Sequence, residues 1–235
     1  MKKCKIMTIY PKSFKGPKVL PKIHINGDEL HHCDNIKSLG LIIDHEFKWN
    51  THINDVCRRV NYKLLTLKQI IPYCSYENSV SLISAMCLSL IRYCSIIWEC
   101  ANKSELQKVD KCIRRCARTV FRKNKLESIT EELKSLGWFD SFNMYKYGIC
   151  VFVYMIVHNL VPDYFSNYIV FKSTPYNTKY SNHICVSSPL PIHKYGSDLI
   201  SVKACNFWNN LPNQLTAIQS LPLFKRNIKH YLLGK

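Results

Sequence analysis

The chain has 235 residues, 47% of them hydrophobic and 21% charged, a balance typical of a folded protein and not of a disordered one. Its formal net charge is +17 and its isoelectric point lies near 9.4. Such an excess of cations indicates a polyanionic partner, nucleic acid before an acidic membrane surface. A basic surface that binds nothing is the alternative. Lysines and arginines dominate both ends of the sequence, so we expect the polyanion to contact more than one segment.

The first elements that the sequence predicts are short strands. Residues 4–10 read as a strand that ends at Pro11. Asn26 and Gly27 stand between two alternating runs and predict the turn of a β-hairpin. The near-continuous apolar run in "IKSLGLIID" predicts one strand that is buried on both faces, with Gly40 permitting close backbone approach.

Helices are predicted for most of the remaining chain. Apolar residues recur at helical spacing from Thr51 to Pro72, a second apolar helix begins at Ser75 or Tyr76, and Ser104 is the predicted cap of a third. Further helices are predicted up to a stop at Gly137 and over 140–160, 198–209 and 222–233, with loops and short strands over 166–197. The predicted fold class is α+β and predominantly α-helical: a short N-terminal β-hairpin with strands, a helical bundle and a mixed C-terminal region.

The third predicted helix carries a row of cations. These side chains recur every three or four residues and share one face, while apolar residues such as Val109 and Ile113 lie on another. Like charges at this spacing repel one another, and a phosphate backbone would relieve the repulsion. If all of them met phosphates, binding would have a log–log salt slope of roughly −4.5. A solvated basic face is the alternative. The residues are Lys108, Lys111, Arg115, Arg118 and Arg122.

The cysteines and apolar segments exclude several classes of protein. No secretory signal peptide is recognisable, and many of the 12 cysteines lie inside apolar runs, so we expect reduced thiols in an intracellular protein, nuclear or cytoplasmic and not secreted. There is no C-x-x-C pair, and Cys112 and Cys116 stand one turn apart in the basic helix, which argues against zinc. Residues 80–98 contain Arg92 and 149–157 are too short for a bilayer, so we expect no membrane partner.

Signatures of catalysis are scarce. The sequence has no glycine-rich phosphate loop, no G-x-S-x-G and no H-E-x-x-H. Two-metal phosphoryl chemistry needs clustered carboxylates, and Asp44 and Glu46 do not form such a set. Asp44 ends an apolar run and is explained more simply by turn and helix-start chemistry.

One segment resembles a known family. "IKSLGLIIDHEFKWNTHI" is similar to the stretch after the catalytic centre in reverse transcriptases of non-LTR (LINE-type, jockey-like) retrotransposons, where Leu-Gly, an apolar run, Asp, Trp and a His-Ile helix start follow one another. Upstream, "KKCKIMTIYP" resembles the preceding Lys-Thr-Lys strand, with Cys4 where Thr is usual. The matching residues of the first segment are Leu39, Gly40, Asp44, Trp49, His52 and Ile53.

The resemblance extends along the chain. The stretch 89–121 is similar to the family's helical region, with Cys94 in place of the usual Gly and Lys111 where Gln is common. "LVPDYFSNYI" resembles a Pro-x-Tyr-Leu step, and the last segments resemble the closing Trp-Asn-x-Leu-Pro and Phe-Lys-x-x-Leu blocks. Matching residues are Tyr93, Trp98, Leu106, Gln107, Lys111, Arg114, Arg118, Trp208, Asn209, Leu211, Pro212, Phe224, Lys225 and Ile228.

The resemblance implies the C-terminal part of an RNA-directed DNA polymerase. Residues 1–49 would end the palm, with a primer-grip-like turn at Leu39 and Gly40. Residues 50–125 would form a helical thumb and 126–235 a C-terminal extension. The family's metal-binding carboxylates lie upstream, so we expect a catalytically incomplete chain that is inactive alone and takes Mg²⁺ only together with the missing palm.

The same resemblance implies the partners. A thumb holds the template–primer duplex by its backbone, so the five cations of the third helix would contact an RNA–DNA hybrid without base specificity. The upstream polymerase region is a second candidate partner. Two alternatives remain open: a decayed remnant without activity, or a chain that supplies a thumb to a separate palm.

A third alternative is a non-enzymatic module that binds protein through its C-terminal aromatic residues. Core packing is the simpler explanation for these side chains, which are Tyr168, Tyr176, Tyr180 and Trp208.

Overall fold

The computed structural model describes residues 4–10, 15–16, 20–172, 185–187 and 200–234. The fold is α+β and predominantly α-helical, as predicted from the sequence. The chain divides into two compact units, Met1–Ile129 and Thr130–Lys235.

The first hairpin forms at the predicted turn. Strands β1 (His24–Ile25) and β2 (Asp28–Glu29) pair antiparallel. Asn26 and Gly27 between them have φ angles of 51° and 86°. Positive φ at both central residues is the geometry of a type I′ turn, which an Asn-Gly pair favours. The strand predicted over 4–10 is wrong, because within that range only Ile6 pairs, through one parallel bridge to His32.

A second hairpin replaces the single strand predicted for residues 36–44. Strands β3 (Asn35–Ser38) and β4 (Leu41–Asp44) pair antiparallel around Leu39 and Gly40, whose φ angles are 46° and 84°. The predicted burial on both faces is also wrong, since only Leu41 of β4 is buried. The apolar run therefore folds back on itself at a turn that no polar residue signals.

The two longest helices of the first unit pack against each other. Helix α1 (Asn50–Ile70) and α5 (Lys103–Val120) have the predicted amphipathic patterns, and a 3₁₀ turn (Ile71–Tyr73) follows α1. Ser104 does not cap α5, because the helix begins one residue earlier, after Asn102. Burying each large apolar side chain of this seam contributes roughly 1.5–3 kcal/mol. The buried residues are Ile53, Val56, Val60, Leu64 and Leu67 of α1 and Val109, Ile113, Ala117 and Val120 of α5.

The second predicted helix is interrupted. It consists of α2 (Tyr76–Ile83), a π-helical turn (Ser84–Leu88), α3 (Ser89–Arg92) and α4 (Ser95–Trp98). The predicted start is confirmed, because the Ser75 hydroxyl accepts a hydrogen bond from the Asn78 amide at 3.2 Å. The chain breaks before α4, where Cys94 has a φ of 50°.

Two thiol pairs lie in this helical core. Cys57 of α1 is hydrogen-bonded to Cys112 of α5, and Cys87 of the π-helical turn to Cys116 of α5. The hydrogen bond that the Cys116 thiol donates to Cys87, together with burial, raises the pKa of Cys116 well above its ordinary value. Every cysteine whose side chain the structure describes is a free thiol. These cysteines act as small core side chains.

The second unit begins with α6 (Thr130–Leu136), which stops before Gly137 as predicted, and α7 (Ser141–Val157), whose N-cap is Asp140. A 3₁₀ helix (Asp163–Tyr168) leads to an antiparallel pair, β5 (Val170–Lys172) and β6 (Cys185–Ser187). The last helices are α8 (Ile200–Asn209), α9 (Asn213–Thr216) and α10 (Leu221–Leu232). The rest of the predicted loop region over 166–197 lies outside the described residues.

Aromatic rings form the core of the second unit. Trp208, Phe224 and Tyr154 are fully buried, and the ring centroids of Tyr154 and Phe224 are 4.4 Å apart in a stacked arrangement. The prediction that Trp208 serves core packing is confirmed. Tyr176 and Tyr180 lie outside the described residues, as does the Tyr168 side chain.

The residue after Trp208 ties helix α8 to the β5–β6 hairpin. The Asn209 Oδ1 accepts a hydrogen bond from the Val186 amide at 3.0 Å. Its Nδ2 donates to the Val186 carbonyl at 2.8 Å. A side-chain amide therefore pairs with both main-chain groups of one strand residue.

Candidate nucleic-acid interface

A cavity of about 780 Å³ lies in the first unit, bordered by the C-terminal end of α1, the 3₁₀ turn, α5 and the segment that follows α5. We call it the basic groove. Besides Ile71, Pro72 and Thr119 its lining is cationic, and no acidic side chain of the described residues lines it. The lining cations are Lys68, Lys111, Arg114, Arg115, Arg118, Arg122, Lys123 and Lys125.

Four of the five cations predicted on α5 line the basic groove, and Lys108 does not. The Lys108 Nζ lies 2.7 and 2.9 Å from the two carboxylate oxygens of Glu105 and 3.0 Å from Oδ1 of Asn54. This ion pair offsets the charge of Lys108. Its role in binding nucleic acid stays a prediction, as do those of the other four.

No acidic side chain of the described residues pairs with the remaining α5 cations. Nη1 of Arg115 donates to Oδ1 of Asn61 at 3.0 Å, and Arg118 donates twice to the main-chain carbonyl of Glu127, at 3.3 and 3.1 Å. These acceptors are neutral, so each guanidinium stays uncompensated and keeps further N–H donors for a ligand. Among the described residues, Lys111 and Arg114 have no hydrogen-bond or ion-pair partner.

Arg122 joins the ends of the two long helices. It has a φ of 53° and follows α5, where the Lys123 amide donates to the Arg118 carbonyl at 2.9 Å, the pattern of a Schellman motif. Its Nη2 lies 3.2, 3.1 and 3.4 Å from the carbonyl oxygens of Ile71, Pro72 and Cys74. A cation is favourable beside carbonyls at a helix C-terminus.

Four lining cations were not among the predicted contacts: Lys68, Arg114, Lys123 and Lys125. The sequence holds a signal for Arg114, since it lies three residues after Lys111 and four before Arg118. Helical spacing therefore places it on the same side. Lys68 belongs to α1 and reaches the groove only because α1 packs on α5, which no local pattern encodes.

The predicted primer-grip-like turn is fixed to the helical part of the first unit. The Tyr93 hydroxyl donates to the Leu39 carbonyl at 2.7 Å, and its ring lies 3.4 Å from where a Cβ on Gly40 would stand. The Leu39 side chain itself is 88% exposed. The Ile42 amide donates to Nδ1 of His52 in the first turn of α1. The basic groove begins at Lys68, about 24 Å further along α1 at 1.5 Å per residue, so the two features lie apart.

Asp44 has the turn and helix-start role that its position predicted. Its Oδ1 accepts hydrogen bonds from the amides of Glu46 at 3.1 Å and Lys48 at 2.9 Å, and Oδ2 accepts one from Trp49 at 2.7 Å. Burial acts to raise the pKa of Asp44, but these main-chain bonds outweigh it and hold the pKa below its ordinary value of 3.8. The carboxylate is therefore used in local structure.

Two further findings concern only the part of the chain that the structure describes. It contains no group of three or more His, Cys, Asp or Glu side chains placed to hold a metal ion. None of its helices is both long enough and apolar enough to cross a membrane.

Fold and site together define a predominantly helical, strongly basic protein with a cation-lined groove. Comparisons of the chain with known protein families, curated proteins and solved structures found no significant match. The function of the chain is therefore inferred from the groove and from the sequence resemblance.

Proposed function

We propose that the chain binds nucleic acid through phosphate contacts in the basic groove, as a catalytically incomplete part of a retrotransposon RNA-directed DNA polymerase. The observation that carries this proposal is the lining of the groove, where cations converge without an acidic side chain from the described residues. Convergent like charges repel one another, and a polyanion that enters the groove relieves that repulsion.

The shape of the site favours nucleic acid over a lipid surface. A helix that binds a membrane inserts an exposed apolar face between the lipid head groups. The apolar face of α5 is instead buried in the protein, with Val109 and Ala117 fully inaccessible. The cations of α5 line a concave groove, which suits a strand of phosphates better than a flat bilayer.

Such contacts would be tolerant of sequence. Lysine and arginine bound to phosphate carry no information about bases, and each neutralised phosphate contributes roughly −0.9 to the log–log salt slope. The resemblance to reverse transcriptases makes an RNA–DNA hybrid the first ligand to test, because its wide minor groove and phosphates are what a thumb would hold.

The test is a charge reversal at two groove residues. Lys111→Glu/Arg114→Glu removes cations that have no partner among the described residues, so it breaks no internal bond seen in the structure. We expect it to weaken binding of a labelled RNA–DNA hybrid at least about tenfold and to make the salt slope shallower by roughly 1.8, measured by fluorescence anisotropy.

The matched control is Lys22→Glu/Lys103→Glu, which changes the net charge equally at exposed positions outside the groove lining. An equal loss in the control would contradict the groove assignment and indicate a diffuse charge effect. If the unmodified chain binds neither the hybrid nor a single strand at about 0.15 M salt, the proposal is contradicted and the protein-binding alternative is favoured.

A further inference from the structure

Exposed tyrosines adjoin residues that line the basic groove. Tyr73 directly follows the lining residue Pro72, and 91% of its surface is exposed. Tyr76 is 51% exposed, and its ring packs on Phe121 with centroids 5.6 Å apart. Phe121 is the neighbour of the lining residue Arg122. Two tyrosines thus lie next to the phosphate-binding cations.

The backbone that carries these rings is held in place. The Arg122 guanidinium contacts the carbonyls of Ile71, Pro72 and Cys74 on either side of Tyr73. Ser75 caps α2, whose first residue is Tyr76. A tyrosine exposed to this degree contributes little to a hydrophobic core, so packing does not account for Tyr73.

The size of the groove distinguishes between forms of nucleic acid. A volume of about 780 Å³ lies in the range of roughly 300–1,000 Å³ that is common for small-molecule sites. A duplex presents a convex outer face with its bases stacked inside, so it can touch the rim of such a groove but cannot offer a base to a ring. An unpaired strand can place its backbone in the groove and turn its bases outward.

Cations that follow the backbone, combined with aromatic rings that stack on bases, are the general means by which proteins hold single strands. We propose that the basic groove takes an unpaired stretch of nucleic acid, with phosphates at Lys111 and Arg114 and bases stacked on Tyr73 and Tyr76. This inference rests on the proposed function and adds to it that an unpaired strand is preferred to a duplex.

The experiment compares three labelled probes by fluorescence anisotropy at about 0.15 M salt. They are a thymidine oligomer of about a dozen nucleotides, an abasic oligomer with the same number of phosphates, and a blunt duplex of the same length. We expect the thymidine oligomer to bind most tightly. Tyr73→Ala should weaken its binding about tenfold, because one base loses its stacking partner, and should leave binding of the abasic oligomer unchanged.

Two variants control for folding and for the loss of any tyrosine. Tyr73→Phe keeps the stacking face and should retain the affinity of the unmodified chain. Tyr164→Ala removes a tyrosine that is 64% exposed in the second unit and should change nothing. Tyr76→Ala tests the second ring and, like Tyr73→Ala, should weaken binding of the thymidine oligomer.

The outcomes separate this inference from the proposed function. Equal binding of abasic and thymidine oligomers, or an unchanged affinity of Tyr73→Ala, overturns the stacking while a loss in Lys111→Glu/Arg114→Glu still supports the phosphate site. A duplex that binds more tightly than the thymidine oligomer likewise overturns the preference for an unpaired strand and leaves the phosphate site supported. If none of the probes binds, both proposals fail.

Discussion

The two units use the residues that carry the family resemblance in different ways. In the first unit several of them are on the surface: Leu39 is exposed at the tip of a hairpin, and Lys111 and Arg114 line the basic groove. In the second unit Trp208 and Phe224 are fully buried. The first unit also buries matching residues, among them Ile53 and Trp98, so it combines a packed core with a surface groove that is available to ligands.

This difference predicts how each unit responds to perturbation. Binding in the groove depends on charge, so added salt and charge reversal should weaken it strongly. The stability of the aromatic core depends on packing, so truncation of a ring should lower the free energy of unfolding, whereas salt should change it little.

The largest effect is expected from Trp208→Ala in the second unit. Removing this buried ring leaves a cavity, and the free energy of unfolding should fall by about 3–5 kcal/mol in urea denaturation followed by circular dichroism. Tyr164→Ala, at an exposed ring of the same unit, is the control and should stay within about 0.5 kcal/mol. A loss below about 1 kcal/mol for Trp208→Ala would show that the core assignment is wrong.

A smaller effect is expected from Asp44→Ala in the first unit. Three main-chain amides lose their acceptor, and the free energy of unfolding should fall by about 1–3 kcal/mol at neutral pH. Asp44→Asn keeps one acceptor oxygen, so its free energy of unfolding should fall by less.

Asp44 also makes a pH-dependent contribution whose sign follows from its lowered pKa. The folded chain holds the carboxylate ionised below its ordinary pKa of 3.8. The stabilisation is therefore fully present above that value and is lost as the pH falls through the folded pKa. Denaturation at a series of acidic pH values should show this loss in the unmodified chain and not in Asp44→Ala; identical pH dependence in both would contradict the role given to this carboxylate.

The smallest effect concerns Arg122, a groove cation that also supports the fold. Arg122→Ala and Arg122→Gly both remove the guanidinium contacts to the carbonyls after α1, but only glycine relieves the left-handed backbone at this position. We therefore expect the glycine variant to be more stable than the alanine variant by roughly 1 kcal/mol in the same denaturation assay. Equal stabilities would mean that the backbone at Arg122 is not strained.

The long helices could be predicted because α1 and α5 place apolar residues at helical spacing on one face. The hairpin at Leu39 was missed because leucine rarely adopts a positive φ, which makes Leu39-Gly40 a weaker turn signal than Asn26-Gly27. The break at Cys94 was missed for a related reason. The segment 75–98 is apolar on most sides and contains neither proline nor glycine. Its sequence pattern therefore does not show where the helix is interrupted.

The candidate site was predictable only where it lies on one helix. The α5 cations follow from spacing alone, whereas Lys68, Lys123 and Lys125 meet them through tertiary packing. The partners of Lys108 and Arg122 are only partly foreseeable: Glu105 lies one helical turn before Lys108, but Asn54 and the carbonyls of Ile71 and Pro72 are some 50 residues away in sequence.

The Asn209 amide has a consequence for how the second unit meets other copies of itself. Strand edges with free amides and carbonyls are templates on which a further chain can add, and this is a common route to aggregation. At Val186 both groups are already occupied by one side chain, which stands where the next strand would lie. Asn209 thus closes this strand position to intermolecular pairing without the addition of a third strand.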